Sequence, residues 1–285
     1  MSREKMKHTY LIDGKKLSVD VQSKNAFFVG KNEILSKRFG DLAQKKSWYH
    51  KGYTVIKSDT FLDTVLVKTK IQENVRKFIQ EINPKTNLNN FSLETYHQYV
   101  TDEDHIKVIE RTRSFYPADL DIDSEKIVKN IASYIGSNLS YNNSVSKTGS
   151  DPIVVRINRP KSIGYNPCHK DIYNTFDKSG FIPKMINVWI PVCGVNKLAG
   201  LPLAPGSHLI PEIKIERVNA GSILNGQKYN VNSILRWGNN SSLKTISPKN
   251  NEMLIFSSHL VHGLAVNQNP DTTRISLEFR LYEEG

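Results

Sequence analysis

The chain has 285 residues, enough to bury a sizeable core within a single domain. Two cysteines, Cys168 and Cys193, exclude a disulfide scaffold and point to a reducing compartment, the cytoplasm. The net charge of +11 invites nucleic acid, but lysines such as Lys45, Lys46 and Lys244 are scattered, so a solvated basic surface or an anionic small-molecule substrate reads better.

The N-terminus, Met1 to His8, is polar and lacks the apolar core of a signal peptide. No later run approaches the roughly 18 apolar residues of a membrane span. Residues 10–21 alternate apolar and polar side chains around Asp13-Gly14, which predicts a hairpin with a type I′ turn; it reads as an appendage, residues 1–30, ahead of the core. Residues 31–150 read as mainly helical support. Helical spacing runs over 32–46, then a short strand over Gly52–Ile56, then a long amphipathic helix over 63–82 that Pro84 stops. A second helical block follows Ser92, with Thr101 and Asp104 spaced as a capping box, and a third covers 124–139. His97 and His105 lie in these segments and read as surface or capping histidines.

From Ile153 the texture changes to short strands at 153–159, 166–172, 185–193, 199–204, 231–236, 252–258 and 274–282, the pattern of a sandwich or barrel. In the last of these, Arg274, Ser276, Glu278, Arg280 and Tyr282 share one face; Ile275, Leu277, Phe279 and Leu281 share the other. Asn187 and Trp189 repeat the contrast against Ile186, Val188 and Ile190. A polar interior and an apolar exterior covered by the preceding helices account for both. Residues 206–230 lack periodicity and read as an irregular segment at the mouth, either a lid or a surface insertion.

Asn166-Pro167-Cys168-His169-Lys170-Asp171 carries the chemistry. On an extended segment His169 and Asp171 leave one face while Cys168 and Lys170 point away. One imidazole and one carboxylate make two thirds of the facial triad that suits non-haem Fe(II). A third ligand is available from His259 or His262 in Phe256-Ser257-Ser258-His259-Leu260-Val261-His262-Gly263.

The order His-x-Asp, distant His, then Arg274-Ile275-Ser276 resembles the iron- and 2-oxoglutarate-dependent oxygenases, and within them the phytanoyl-CoA dioxygenase-like family. Asn187-Val188-Trp189-Ile190-Pro191-Val192, Gly200 to His208, and Met253-Leu254-Ile255-Phe256 look like that family's segments in its order, and the match runs from about residue 45 to 282. The resemblance implies an α+β fold: a double-stranded β-helix, or jelly roll, over 151–285, with N-terminal helices on its outer face. It implies Fe(II) held by His169, Asp171 and a second histidine, and the spacing to Asn267 and Arg274 selects His262, leaving His259 a supporting role. It further implies 2-oxoglutarate and O2 as cosubstrates, with decarboxylation to succinate and oxidation of an unactivated C–H bond. Arg274 and Ser276 match the superfamily's Arg-x-Ser grip on the distal carboxylate, and a guanidinium fork does suit a carboxylate. A structural ion pair from Arg274 or Arg280 to Glu278 is the competing use of those residues. The carboxylate at Asp171 disfavours chlorination, since related halogenases carry a small residue there.

Asn187, Trp189 and Arg159 are candidates for the cosubstrate's inner carboxylate or the cavity wall; Tyr165, Tyr173, His208, Arg236 and Trp237 are candidates for substrate contact. Pro205-Gly206-Ser207-His208 reads as a turn. The expected activity is oxidation of a small molecule in specialised metabolism. A protein or nucleic-acid hydroxylase, or a binding module on the same fold, are the alternatives.

Overall fold

The computed structural model describes residues 4–23, 27–60, 62–143, 149–162, 166–224, 227–239 and 241–284. In chain order the elements are β1 (Glu4–Ile12), β2 (Lys15–Ser23), α1 (Leu35–Arg38), β3 (Tyr53–Lys57), α2 (Thr64–Ile82), α3 (Asp102–Arg111), α4 (Ser124–Ile135), β4 (Leu139–Ser140), β5 (Val154–Asn158) and α5 (Tyr173–Ser179). They continue with β6 (Met185–Cys193), β7 (Leu201–Leu203), β8 (Ile215–Val218), β9 (Ile223–Leu224), β10 (Gln227–Lys228), β11 (Ser233–Trp237), β12 (Ser242–Ile246), β13 (Glu252–Ser257) and β14 (Arg274–Glu283). No described helix is long and apolar enough to cross a membrane.

Two large sheets dominate. One runs β3-β13-β6-β14-β4 with β5 also on β14; the other runs β10-β9-β2-β1-β12-β7. Side chains from both meet in a cluster containing Trp189 and Leu254 from the first and Leu201, Leu203 and Ile246 from the second. This two-sheet arrangement is the coarse form of the expected jelly roll. On the other side of the first sheet, Ile275, Leu277, Phe279 and Leu281 of β14 and Ile186, Val188 and Ile190 of β6 join one apolar cluster with Val67, Ile71, Val75 and Ile79 of α2 and Ile127 and Ile131 of α4. Burying a Leu or Ile side chain contributes roughly 1.5–3 kcal/mol, so a β14 that reversed its faces would lose most of this interface.

Local chemistry fixes several elements. Asp63 caps α2 by accepting from the amides of Val65 and Leu66, and Thr101 and Asp104 form the complete reciprocal box at the start of α3. Gly136, in the left-handed region at φ +76°, ends α4 four residues before Ser140. Asp13 and Gly14 both take positive φ, +50° and +79°, as a type I′ turn requires.

Five expectations need correction. The N-terminal hairpin is no appendage: β1 pairs in parallel with β12, and β2 pairs with β9. Residues 32–46 form only the short α1 followed by turns, and the block after Ser92 is one 3₁₀ turn over Tyr96–Gln98 before α3. Residues 166–172 are not a strand, since only His169 makes a β-bridge and Asp171 begins a turn into α5. Within 206–230 the segment is not wholly irregular, since β8 pairs with β11 and the short β9 pairs with β2 and β10.

Candidate metal centre

Two backbone segments that lie far apart in sequence are stitched together at the centre. His169 N–H donates to the His262 carbonyl at 2.9 Å, and His262 N–H donates to the His169 carbonyl at 3.0 Å. The approach requires Gly263: at φ +139° it sits where L side chains are strained, and a Cβ there would lie 2.3 Å from the Pro167 carbonyl oxygen. Reciprocal bridging sets both imidazoles on one side, with ring centroids 4.3 Å apart.

His169, Asp171 and His262 are all buried, and one ligand atom from each lies within 4.8 Å of the others. His169 Nε2 stands 3.5 Å from Asp171 Oδ1, and His262 Nε2 stands 3.7 Å from Asp171 Oδ2. Six-coordinate ions with bonds of about 2.1 Å set neighbouring ligands roughly 3 Å apart, so the three side chains fit one ion after small rotations. The tautomers agree. His169 Nδ1 faces the Pro167 carbonyl at 2.8 Å and His262 Nδ1 faces the Leu260 carbonyl at 3.0 Å, so each Nδ1 carries the proton and each Nε2 presents its lone pair. Burial pushes the His262 imidazole down to about 4, which keeps it neutral.

Asp171 is held from behind. Burial alone would raise its carboxyl, but the Arg280 guanidinium holds it well below the usual range. Arg280 Nη2 donates to Asp171 Oδ1 at 2.8 Å. Between the two ligands Lys170 turns the opposite way. Its ammonium meets Glu212 Oε1 at 2.8 Å in the core, and the Tyr173 hydroxyl donates to Glu212 Oε2 at 2.6 Å. Of the two candidate histidines only His262 joins the group. His259 is buried elsewhere, its Nδ1 without a partner, near Lys170 and His208.

Beside the three side chains is a cavity of about 90 Å³. At one water per roughly 10–15 Å³ it has room for several waters, comparable to a small dicarboxylate. Asn187, Trp189, Glu278 and Arg280 line it from the first sheet, Leu201 from the second, and Asn158 from β5. Asn187 Nδ2 is buried there with no hydrogen-bond partner. Arg274 sits just behind the Asn158 and Trp189 walls. Its Nη1 donates to Asn158 Oδ1 at 2.8 Å, its Nε donates to the Ala199 carbonyl, and its charge lies 5.0 Å from the Trp189 ring. Arg274 Nη2 is buried without a partner, and burial pulls the guanidinium down to about 10. A buried cation with a free donor fits an incoming carboxylate.

Glu278 is paired with Arg156, and neither Arg274 nor Arg280 is its hydrogen-bonded partner. Arg156 Nε and Nη2 grip both carboxylate oxygens at 2.8–3.0 Å, and Trp189 Nε1 and Ser276 Oγ donate to Oε1. Burial would raise this carboxyl, but the Arg156 guanidinium brings it down to about 2. Ser276 is therefore committed to Glu278. Sequence reading passed over Arg156 and Asn158, whose signal was the alternation of Val154, Arg156 and Asn158 in β5 against the buried Val155 and Ile157.

Other sequence candidates are not brought to this cavity. Tyr173 points to Glu212, because α5 turns it away from Asp171. His208 packs on Tyr49 with ring centroids 4.8 Å apart. Arg236 is exposed beside Glu216, and Trp237 is buried in the core of the second sheet. Arg159 lines a neighbouring cavity instead and pairs with Asp102. Tyr165 falls outside the described residues.

No protein-family model matches the chain, and no curated protein matches it. Several solved structures are similar in part. EvdMO1 aligns at 14% identity and TM-score 0.46, over 86% of this chain and 50% of its own, so the chain spans half of that protein's length. AviO1 from Streptomyces viridochromogenes Tue57 aligns at 11% identity and TM-score 0.43, over 90% of this chain and 96% of its own. The epimerase SnoN, solved with Fe3+, alpha ketoglutarate and nogalamycin RO, aligns at 13% identity and TM-score 0.43, over 87% of this chain and 83% of its own. Likeness of this degree carries no argument about activity, which rests on the site's own geometry.

Proposed function

We propose that the protein is an Fe(II)- and 2-oxoglutarate-dependent oxygenase that oxidises an unactivated C–H bond of a small molecule. The observation that carries this reading is the convergence of His169, Asp171 and His262 on one buried point at the edge of a cavity, with the unpartnered Arg274 Nη2 behind its walls. Two imidazoles and one carboxylate on one side of an ion leave the opposite positions open, the donor set of non-haem iron oxygenases. Fe(II) bound there, with 2-oxoglutarate and O2, supplies the oxidant, and the cosubstrate leaves as succinate and CO2.

The chain's residues supply binding and orientation. The two backbone carbonyls keep Nε2 of His169 and His262 turned inward, and Arg280 fixes the plane of the Asp171 carboxylate. Arg274 is the anchor for the distal carboxylate, with Asn187 Nδ2 the free donor nearer the three ligands. Ser276 supports Glu278 and reaches the cosubstrate only by giving up that bond. Trp189 walls the cavity and, with Leu201, excludes water. A cavity of only about 90 Å³ beside the three ligands favours a small substrate over a protein or nucleic-acid strand. Assignment to the phytanoyl-CoA dioxygenase-like branch rests on the segment order in the sequence.

Protein reconstituted with Fe(II) is expected to convert 2-oxoglutarate to succinate, and Asp171→Ala to abolish it. A wild type that neither binds iron nor turns over 2-oxoglutarate sinks the proposal.

A further inference from the structure

A second cavity, of about 610 Å³, adjoins the first and shares Arg156, Asn158 and Asn166 with it. Its outer wall comes from α3 and from the turn after β5, with Tyr229 from the opposite side. Positive charge is concentrated here. Arg113, Arg156, Arg159 and Lys161 all line this space, against a single carboxylate, that of the largely exposed Asp102.

Two of the four cations are accounted for. Arg156 faces inward and is held by Glu278, and Arg159 Nη2 donates to Asp102 Oδ1 at 2.6 Å. Yet Arg159 Nε is buried with no partner, and Arg113 makes no ion pair among the described residues. Lys161 occupies the third position of the turn Arg159–Ser162 at φ +54°, a left-handed conformation that a glycine would take without strain. The turn thus places a lysine, at a conformational cost, on the rim of the cavity. Strained residues of this kind cluster where a ligand is gripped. His105 does not add to the charge, because burial pushes its imidazole down to about 4.

We propose that this outer cavity is a substrate vestibule that seats an oxyanion, a phosphate or carboxylate borne by the substrate, on Arg113, Arg159 and Lys161. The substrate's remaining part would then extend past Arg156 and Asn158 toward the three metal-ligating side chains. Guanidinium pairs suit planar or tetrahedral oxyanions, and a cluster with more cations than carboxylates at a cavity rim raises the local concentration of anions. This inference deepens the oxygenase reading and depends on it for the word substrate; the anion site itself does not.

The test is calorimetric titration of protein loaded with Ni(II) and 2-oxoglutarate, using phenyl phosphate in one arm and benzoate in the other. Saturable binding is expected in at least one arm, weakening with salt; the tighter arm identifies the class of oxyanion. Arg113→Gln and Arg159→Gln should each weaken it about tenfold. Asp102→Asn, which removes the one acidic group, should strengthen it severalfold, a change of sign that misfolding cannot produce. Absence of saturable binding in both arms, or affinities that ignore all three substitutions, overturns the proposal. Ni(II) affinity, measured in the same preparations, should be unchanged in the variants. Loss of metal binding in the wild type would instead count against the oxygenase reading.

Discussion

Replacing Gly263 with alanine tests whether the metal site is created by two backbones meeting. The added Cβ would lie 2.3 Å from the Pro167 carbonyl oxygen, 2.8 Å from its carbon and 3.0 Å from Cys168 Cα. Real Cβ contacts do not go below 3.0 Å, so the His262 segment must retreat by about 0.7 Å from atoms that are all backbone. Alanine also resists φ +139°, at roughly 1–3 kcal/mol. The two hydrogen bonds between His169 and His262 would stretch, each contributing about 1 kcal/mol. A total of roughly 3–5 kcal/mol corresponds to a fall of roughly 5–8 °C in melting temperature for a domain of this size. Metal affinity should fall at least about tenfold, because the Nε2 atoms move apart. Thermal unfolding and Ni(II) titration of Gly263→Ala measure both effects. An alanine variant that melts within a degree or two of wild type and binds Ni(II) equally well would refute the reasoning.

Arg280→Gln removes the charged donor on Asp171 Oδ1 while keeping a side chain that can still hydrogen-bond; Ni(II) affinity should fall roughly tenfold and the metal-free protein should melt lower, because the buried Asp171 carboxylate loses its cation, and an unchanged affinity would show that Asp171 needs no support. The Arg156–Glu278 pair gives the fold an acid limit. Because Glu278 titrates at about 2 when folded, below the ordinary glutamate range, its stabilisation is present above the unfolded value and is lost as pH falls from about 4.5 toward 2. Urea unfolding across that range should show the slope in wild type and a shallower one in Glu278→Gln, which is also expected to be less stable by several kcal/mol at pH 7 because Arg156 is left unpaired.

The parts of this molecule that were legible in the sequence are those set by local periodicity or by short motifs. The alternation along β14 told which face carries Arg274, Ser276, Glu278 and Arg280, and Asp13-Gly14 marked its turn without outside help. His-x-Asp was legible too, although its extended conformation holds for one bridge only and Asp171 then enters a turn. Partners were not legible. Nothing near Glu278 in sequence says that Arg156 grips it, since β5 and β14 pair across 122 residues. Proximity in sequence also misled: Tyr173 lies two residues after Asp171, but the first turn of α5 carries it to Glu212. The hairpin looked detachable because its partner β12 is a five-residue strand with weak alternation.

The most direct measurement is anomalous scattering at the iron edge from crystals grown anaerobically with Fe(II) and 2-oxoglutarate. The account predicts one strong peak bonded to His169 Nε2, Asp171 and His262 Nε2, with the cosubstrate's distal carboxylate on Arg274 Nη2. A peak elsewhere, no peak at all, or a cosubstrate held away from Arg274 would contradict it.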